Sequence, residues 1–499
     1  MKLAALLTFS VALLLGTIPI LADPPVGTAV AAIDDNPWPG YVAGGRYLRN
    51  LEWGVAFWGP GGANQQLQQG DPAALVRYSL PTTRGKPGYV ITVLGYKLKE
   101  DLSGEQILAQ AAAGIRKIFG DKVTDLKTTT AHQDKPSAPP SLIVGRIVCQ
   151  TPAPAGITGK ETGQPILRHY VYLRLRAKQH LAIVAESTPA AGDDVAAIVD
   201  SLAAGVTAFD PQAESVQTAD GAERTAKLLA AMQPADWEGL VRGAKPQWFK
   251  LWAGPNGSEG SDPKPDAPAN QPLGWLYSSI ARKAAGQIES ITSAHVSQGD
   301  TAISSYTAAT VDLATGEETI RQWARSARKD EAVAETFLLA HRNGSEEARG
   351  TVAGADKFEI TTSPGPGQGQ PGRSEKKSTR RIPSQPYLPA ALHDLLLARL
   401  VKEQGKTFGA FRFLDGEVIF ETIQPAGPTE ISRGGSKTPA VRVLLRNGIN
   451  QPLILRYTDP SGQSTLREMT SPQTWMDAVE ESDVPADLRA SLTRPPQWP

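Results

Sequence analysis

The stretch from Ile382 to Ile423, IPSQPYLPAALHDLLLARLVKEQGKTFGAFRFLDGEVIFETI, constrains the fold more than any other. It sets a leucine-faced helix directly before an antiparallel hairpin. Pro389 suits a first helical position, where a missing N–H costs nothing. Leu392, Leu395, Leu396 and Leu400 recur at helical spacing, and Gly405 can take the left-handed conformation that ends the helix. Phe411 and Phe413 precede Asp415-Gly416, and Val418 and Phe420 follow it, which is period-two alternation around a tight turn. Such a helix needs a sheet to lie on.

The surrounding sequence supplies the sheet. QWFKLWA (247–253) and LGWLYSSIA (273–281) frame a loop rich in Pro, Gly and Asp. Further strands are expected at 287–297, 303–312, 318–326, 335–342 and 347–353, then at 441–446, 453–457 and 465–469. A second loop, ending in the basic cluster Arg373, Lys376, Lys377, Arg380 and Arg381, precedes the helix and reads as solvated and disordered. In the first strand pair, Trp248 and Trp252 oppose Phe249 and Leu251, and Trp275 and Tyr277 oppose Leu276 and Ile280. Both faces are apolar, and one helix covers one face. The 389–404 helix is expected on Phe249, Leu251, Leu276 and Ile280. Trp248, Trp252, Trp275 and Tyr277 are then the candidate ligand-binding residues, with core filling and an interdomain contact as the competing roles. At Asn447-Gly448, a three-residue loop pairing Val441 with Leu455 gathers Arg442, Arg446 and Arg456 on one face.

The first half reads differently. Leu51 to Phe57 alternates as a strand, Val76 to Leu80 is a short one, and Tyr89 to Tyr96 is apolar on both faces, as in a central strand. A helix opens with the capping pair Ser103 and Gln106, buries Ile107, Ala111, Ile115 and Ile118, and stops at Gly120. Strands at 142–150, 168–177 and 180–187 follow, and a last helix carries Val195, Ile198, Val199 and Leu202. A polar connector with a short helix through Ala226, Leu229 and Met232 leads to the second half.

The fold class expected is therefore α+β: an N-terminal α/β sandwich with an antiparallel sheet, then a large curved antiparallel β-sheet domain with one packed helix. Residues 1–22 read as a signal peptide, 23–211 as the first domain, 212–235 as a linker with a short helix, and 236–499 as the second domain. On element order, and on RHYVYLRLRAKQHLAIVAES followed by DDVAAIVDSLAAG, the first domain resembles the PsbP-like family of small α/β sandwiches. That resemblance implies a binding or assembly module without an active site. The second domain, through its G-W-L-Y strand, Y-L-P-A-A-L helix start and L-R-Y-T-D-P-S-G-Q, is similar to LolA/LolB-type antiparallel half-barrels of secreted bacterial proteins. By that analogy its sheet curls around a helix or an apolar ligand.

Residues 1–22 carry Lys2, an apolar run from Leu3 to Leu15 and a small residue, Ala22, before the expected cut at Asp23. The run is shorter than the roughly 20 residues a membrane span needs. A periplasmic or extracellular protein without a transmembrane anchor is expected. Cys149 is the only cysteine, so no intramolecular disulfide forms, and its apolar strand makes it a packing residue. Lys plus Arg and Asp plus Glu balance at 51 each, which gives no support for nucleic-acid binding.

Catalytic signatures are missing. The histidines are scattered, without helical zinc spacing, so no metal site is expected. His393, beside Asp394, falls on the polar side of the leucine helix and reads as a solvated face. GGSKT at 434–438 departs from a phosphate loop, and no G-x-S-x-G elbow occurs. No catalytic residue and no cofactor are assigned. The function expected is an exported non-enzymatic binding protein for an apolar small molecule, a lipid or a protein partner; the alternative is a secreted hydrolase using paired carboxylates.

Overall fold

The computed structural model describes residues 38–42, 44–67, 73–81, 88–130, 142–152, 165–254, 271–328, 333–342, 357–364, 375–382, 386–433 and 435–498. Residues 1–22, the 347–353 strand, Arg373 and the loop 255–270 therefore lie outside the described residues. The described chain divides into two compact units, Trp38–Glu214 and Ser215 onward. The architecture is α+β, with antiparallel sheets in both units.

In the first unit the strands are β1 (Tyr47–Asn50), β2 (Val55–Trp58), β3 (Asn64–Leu67), β4 (Ala74–Leu80) and β5 (Tyr89–Lys97). Helix α1 (Gly104–Phe119) comes next, followed by β6 (Thr124–Thr130), β7 (Ile143–Pro152), β8 (Pro165–Arg176), β9 (Gln179–Ser187), α2 (Gly192–Ala204) and β10 (Thr207–Ala208). The main sheet has the order β3-β4-β5-β9-β8-β7-β6. Its alternation is the one the sequence shows: Val171, Leu173 and Leu175 meet α2 through Val195, Val199 and Leu202. Tyr170 and Tyr172 point to the opposite core, shared with α1 and with Cys149. The α1 start is a capping box, with the Gln106 N–H donating to Ser103 Oγ at 3.3 Å and the Ser103 N–H to Gln106 Oε1 at 2.8 Å.

Two local expectations for this unit fail. Residues 51–57 are not one strand; Leu51 to Gly54 turn between β1 and β2, with Gly54 at φ 60° and the Trp53 N–H donating to the Asn50 side chain. On α1 the buried stripe runs through Ile107, Leu108, Ala112 and Ile115, while Ile118 is 75% exposed. Leu108 faces Ile147 and Cys149 in the same core, which rotates the helix one position from the expected stripe.

The second unit opens with α3 (Pro211–Ala231) and α4 (Pro234–Gly243), where the sequence suggested a polar connector and a short helix. Strands β11 (Gln247–Ala253), β12 (Gln271–Ala284), β13 (Gln287–Gln298), β14 (Thr301–Asp312), β15 (Glu318–Arg328), β16 (Ala334–Arg342), β17 (Lys357–Pro364) and β18 (Lys376–Arg381) follow. A short turn of helix at Ala390–Leu392 enters α5 (His393–Leu400). The chain continues through β19 (Phe408–Leu414), β20 (Glu417–Arg433), β21 (Ser436–Asn447), β22 (Ile454–Thr458), β23 (Thr465–Ser471), β24 (Thr474–Val479) and α6 (Ala486–Thr493).

The fourteen strands among the described residues form one antiparallel sheet, β18 through β11 in descending order and then β24 through β19. The sheet curls around α5. Leu392, Leu395, Leu396 and Leu400 share a core with Ile288, Val311, Ile320, Phe358, Ile423 and Val443, drawn from strands on either side. The β18 edge approaches the other end of the sheet, where Arg380 donates through Nε and Nη2 to the two carboxylate oxygens of Glu417, at the start of β20, each at 2.7 Å. Tyr387 bridges to Phe411 in parallel, adding a short rung beside β19. The start of the β19 edge is covered by α3: the Gly409 N–H donates to Thr225 Oγ1 at 3.0 Å, and Arg224 donates to the Thr407 carbonyl at 2.9 Å. Covering an edge in this way removes a template for unwanted strand pairing.

Three expectations are corrected here. Lys376, Lys377, Arg380 and Arg381 lie on an edge strand, β18, and not in a loop; lysine on an edge resists further pairing. The 389–404 helix sits on the expected face of β12 only through Ile280, while Phe249, Leu251 and Leu276 close a separate small core. The β21–β22 register pairs Val441 with Thr458 and Val443 with Arg456. That register turns Arg456 onto the inner face beside Val443, where the favoured three-residue loop would have turned it outward.

Candidate functional site

Two places in the second unit gather the groups on which chemistry or recognition could rest. The first is the inner wall around α5. His393 is 7% exposed, in contrast to the solvated face expected for it. Its ring is fixed at both nitrogens, Nε2 2.7 Å from Glu421 Oε2 and Nδ1 2.9 Å from Asp394 Oδ1. Arg412 reaches Glu421 Oε1 at 3.0 Å, and Arg456 holds Asp394 at 2.9 Å and Glu468 at 2.5 Å. The pairing pattern places them: Glu421 lies opposite Ala410, two residues from Arg412, and Arg456 lies opposite both Val443 and Glu468. A second anchor stands at the helix entry. Buried Glu318 accepts from Tyr387 Oη at 2.6 Å and from the Ala390 N–H at 2.7 Å, and Arg342 lies 4.4 Å over the Tyr387 ring.

Burial and charge oppose each other throughout this network. Burial alone pulls the His393 pKa down, but the Glu421 carboxylate outweighs it and holds the imidazolium above the ordinary histidine value. For Asp394 burial pushes up, and the Arg456 guanidinium more than offsets it, keeping the carboxyl well below its usual range. Glu421 is likewise lowered, against burial, by Arg412 and His393. Asp394 retains 46% exposure of its side chain because it borders a hollow shared with Ile280, Leu397, Thr458 and Gln463. The hollow has a volume of about 30 Å³. In the first unit, a wider open hollow of about 670 Å³ runs past Leu51, Glu52, Arg176 and Phe209. Arg176 there donates to the carbonyls of Trp53 and Phe209 at 3.2 and 3.0 Å.

The second place is the outer face of β11, β12 and β24, which carries Trp248, Trp252, Trp275 and Tyr277. These four residues do share a face. Trp248 pairs across the ladder with Tyr277, their rings 4.6 Å apart, and Trp252 stacks on Trp475 at 6.4 Å. Lys250 lies 4.3 Å from the Trp252 ring and 5.5 Å from that of Trp275. Trp248 is packed by Val484 and Leu492, with Leu488, Trp275 and Tyr277 at the margin. Sequence reasoning missed α6 as the cover; its Leu488 and Leu492 one turn apart were the available signal. It also missed the interior ion network, whose members are scattered from residue 393 to 468 and signalled only by charges within apolar strands.

Among the described residues, no group of three or more His, Cys, Asp or Glu is arranged to hold a metal ion, and no helix is long and apolar enough to cross a membrane. No family model matches the chain, and no curated protein matches it. Among solved structures, part of the chain is similar to cyanobacterial PsbP (CyanoP) from Synechocystis sp. PCC 6803, at 10% identity and a TM-score of 0.23, covering 37% of this chain and 100% of that one. The chain is also similar to a β-barrel-like protein of a domain of unknown function, DUF1849, from Brucella abortus, at 10% identity and a TM-score of 0.30, covering 47% of this chain and 97% of that one.

Proposed function

We propose that this chain is an exported, non-enzymatic binding protein that meets a protein partner through its surface, with the curled sheet as its framework. The observation that carries this reading is the state of the interior. Where titratable side chains converge, the carboxylates of Asp394, Glu421 and Glu468 are each answered by an arginine or by His393. The hollow beside them, about 30 Å³, is on the scale of a single water rather than a substrate. Small-molecule sites run to several hundred Å³, roughly 300 at the least, and α5 fills the curl of the sheet where such a ligand would sit. The hydrolase alternative needs two carboxylates free to face a bond across a cleft, and Asp394 and Glu468 instead share Arg456. Export rests on the charged, apolar, then small-residue order of residues 1–22.

Native mass spectrometry of exported material, with cross-linking before lysis, tests this. Cross-links from the second unit to one recurrent protein, on a chain that begins near Asp23, are the expected result. A tightly held lipid or small molecule would replace the protein partner. Turnover of ester or glycoside reporters that disappears in a folded Glu421→Gln or Asp394→Asn variant would overturn the non-enzymatic reading.

A further inference from the structure

The aromatic face extends well past β12. Trp248, Tyr277, Ser293, Tyr306, Trp323 and Phe337 stand directly opposite one another on successive strands, β11 to β16, as one transverse row. Tyr306 and Phe337 are buried, and Trp323 is braced by its Nε1–H donating to Glu335 at 2.5 Å. The segment after β24 lies along this row. Val484, Leu488 and Leu492 are spaced one helical turn apart and pack with Trp248, Trp275 and Tyr277. Farther on, the Trp498 ring sits 5.5 Å from Phe337.

We propose that this row is a peptide-docking groove, and that residues 484–498 are its resident occupant, displaced by a partner segment of the same chemistry. That partner segment carries aliphatic side chains at i and i+4 on a short helix, then an aromatic side chain beyond a proline break. This deepens the binding-protein reading above and rests on it. Three observations support it. First, α6 spans only eight residues and has no side-chain hydrogen bond at its N-cap, Pro485. A helix that short does not persist alone, so the groove supplies its order. Second, the outward side of the segment is polar and exposed, at Asp487, Ser491 and Thr493, as in a helix laid into a groove from solvent. Third, Leu339, two residues from Phe337 and on its face, stays 44% exposed, leaving apolar surface beyond the occupant's reach. A vacant row of this size would be an adhesive patch, so the segment also acts as its cover.

The test uses the full chain with Leu488→Glu and Leu492→Glu, which unseats the segment, and a labelled synthetic peptide, VPADLRASLTRPPQW, matching residues 484–498. The peptide is expected to bind the variant roughly tenfold or more tighter than the wild type, and adding Phe337→Ala is expected to weaken that binding. If the double variant loses its fold, Leu488→Ala with Trp498→Ala is measured in the same way. Equal binding to both folded proteins, no binding to either, or loss of fold in both variants would overturn the proposal, the last by making the segment plain core. Those failures leave the partner cross-links of the parent reading untouched, whereas reporter turnover dependent on Glu421 would remove the parent reading whatever the peptide does.

Discussion

At the scale of single residues, His393 does the opposite of what its neighbourhood in sequence suggests. HDLLLARL places it between leucines with Asp394 following, and a polar pair at a helix start reads as solvent-facing. The residues that reverse this, Glu421 and Arg456, come from strands far along the chain, so nothing local announced them. The consequence is a pH signature. A histidine whose folded pKa is raised contributes stability that is complete below its ordinary value, near 6.5, and lost as pH rises through the raised folded value. Glu421 and Asp394 are lowered, so their share is present above the ordinary carboxylate range and lost on acidification through the folded values. His393→Gln should therefore lower the thermal midpoint most in mildly acidic buffer, and the gap to wild type should narrow as pH rises past the His393 value. A gap that is constant from acid to alkaline pH would mean that His393 contributes packing alone.

At the scale of elements, the helix and its hairpin were legible because their signals are local. Gly405 does adopt φ 74°, although α5 itself ends earlier, at Leu400, and Asp415-Gly416 does form the turn, both residues at positive φ. Leu396 is fully buried in the core around α5, so Leu396→Ala should destabilise the second unit by about 2–5 kcal/mol. Chemical denaturation of wild type and variant, followed by tryptophan fluorescence, checks it; a change well below that range would place the helix off the core. Register was not legible in the same way. Separating arginine from valine is a sound rule for a sheet with one wet face, and it chose the wrong pairing at β21 and β22. Here the inner face carries its own ion network, so Arg456 belongs beside Val443. Strand β18 was hidden for a related reason: KKSTRR has the composition of a solvated loop, and only its pairing with β17 makes it a strand.

At the scale of the whole molecule, the sequence changes from mixed to mainly β patterning between its first and second halves. Among the described residues, the hydrophobic clusters built on α1 and on α2 draw only on residues between Leu48 and Ala208. A chain of residues 38–214 should accordingly unfold in one cooperative transition by itself, as calorimetry would show; a non-cooperative melt would mean that its core is incomplete. Less legible was the extent of the second sheet, because several of its strands, β18 among them, are polar. Its strand order carries a further implication. Twelve of its thirteen pairings join strands that are neighbours along the chain, and only β11 with β24 brings distant segments together, at Trp248 and Val479. Hairpins can form in microseconds, while that one pairing must close a loop through the entire unit before any of its contacts reward it. Refolding of this unit should thus be limited by the arrival of its last strand at its first. Until then the aromatic edge of β11 stands open, and a newly made chain is most vulnerable to its neighbours in that interval.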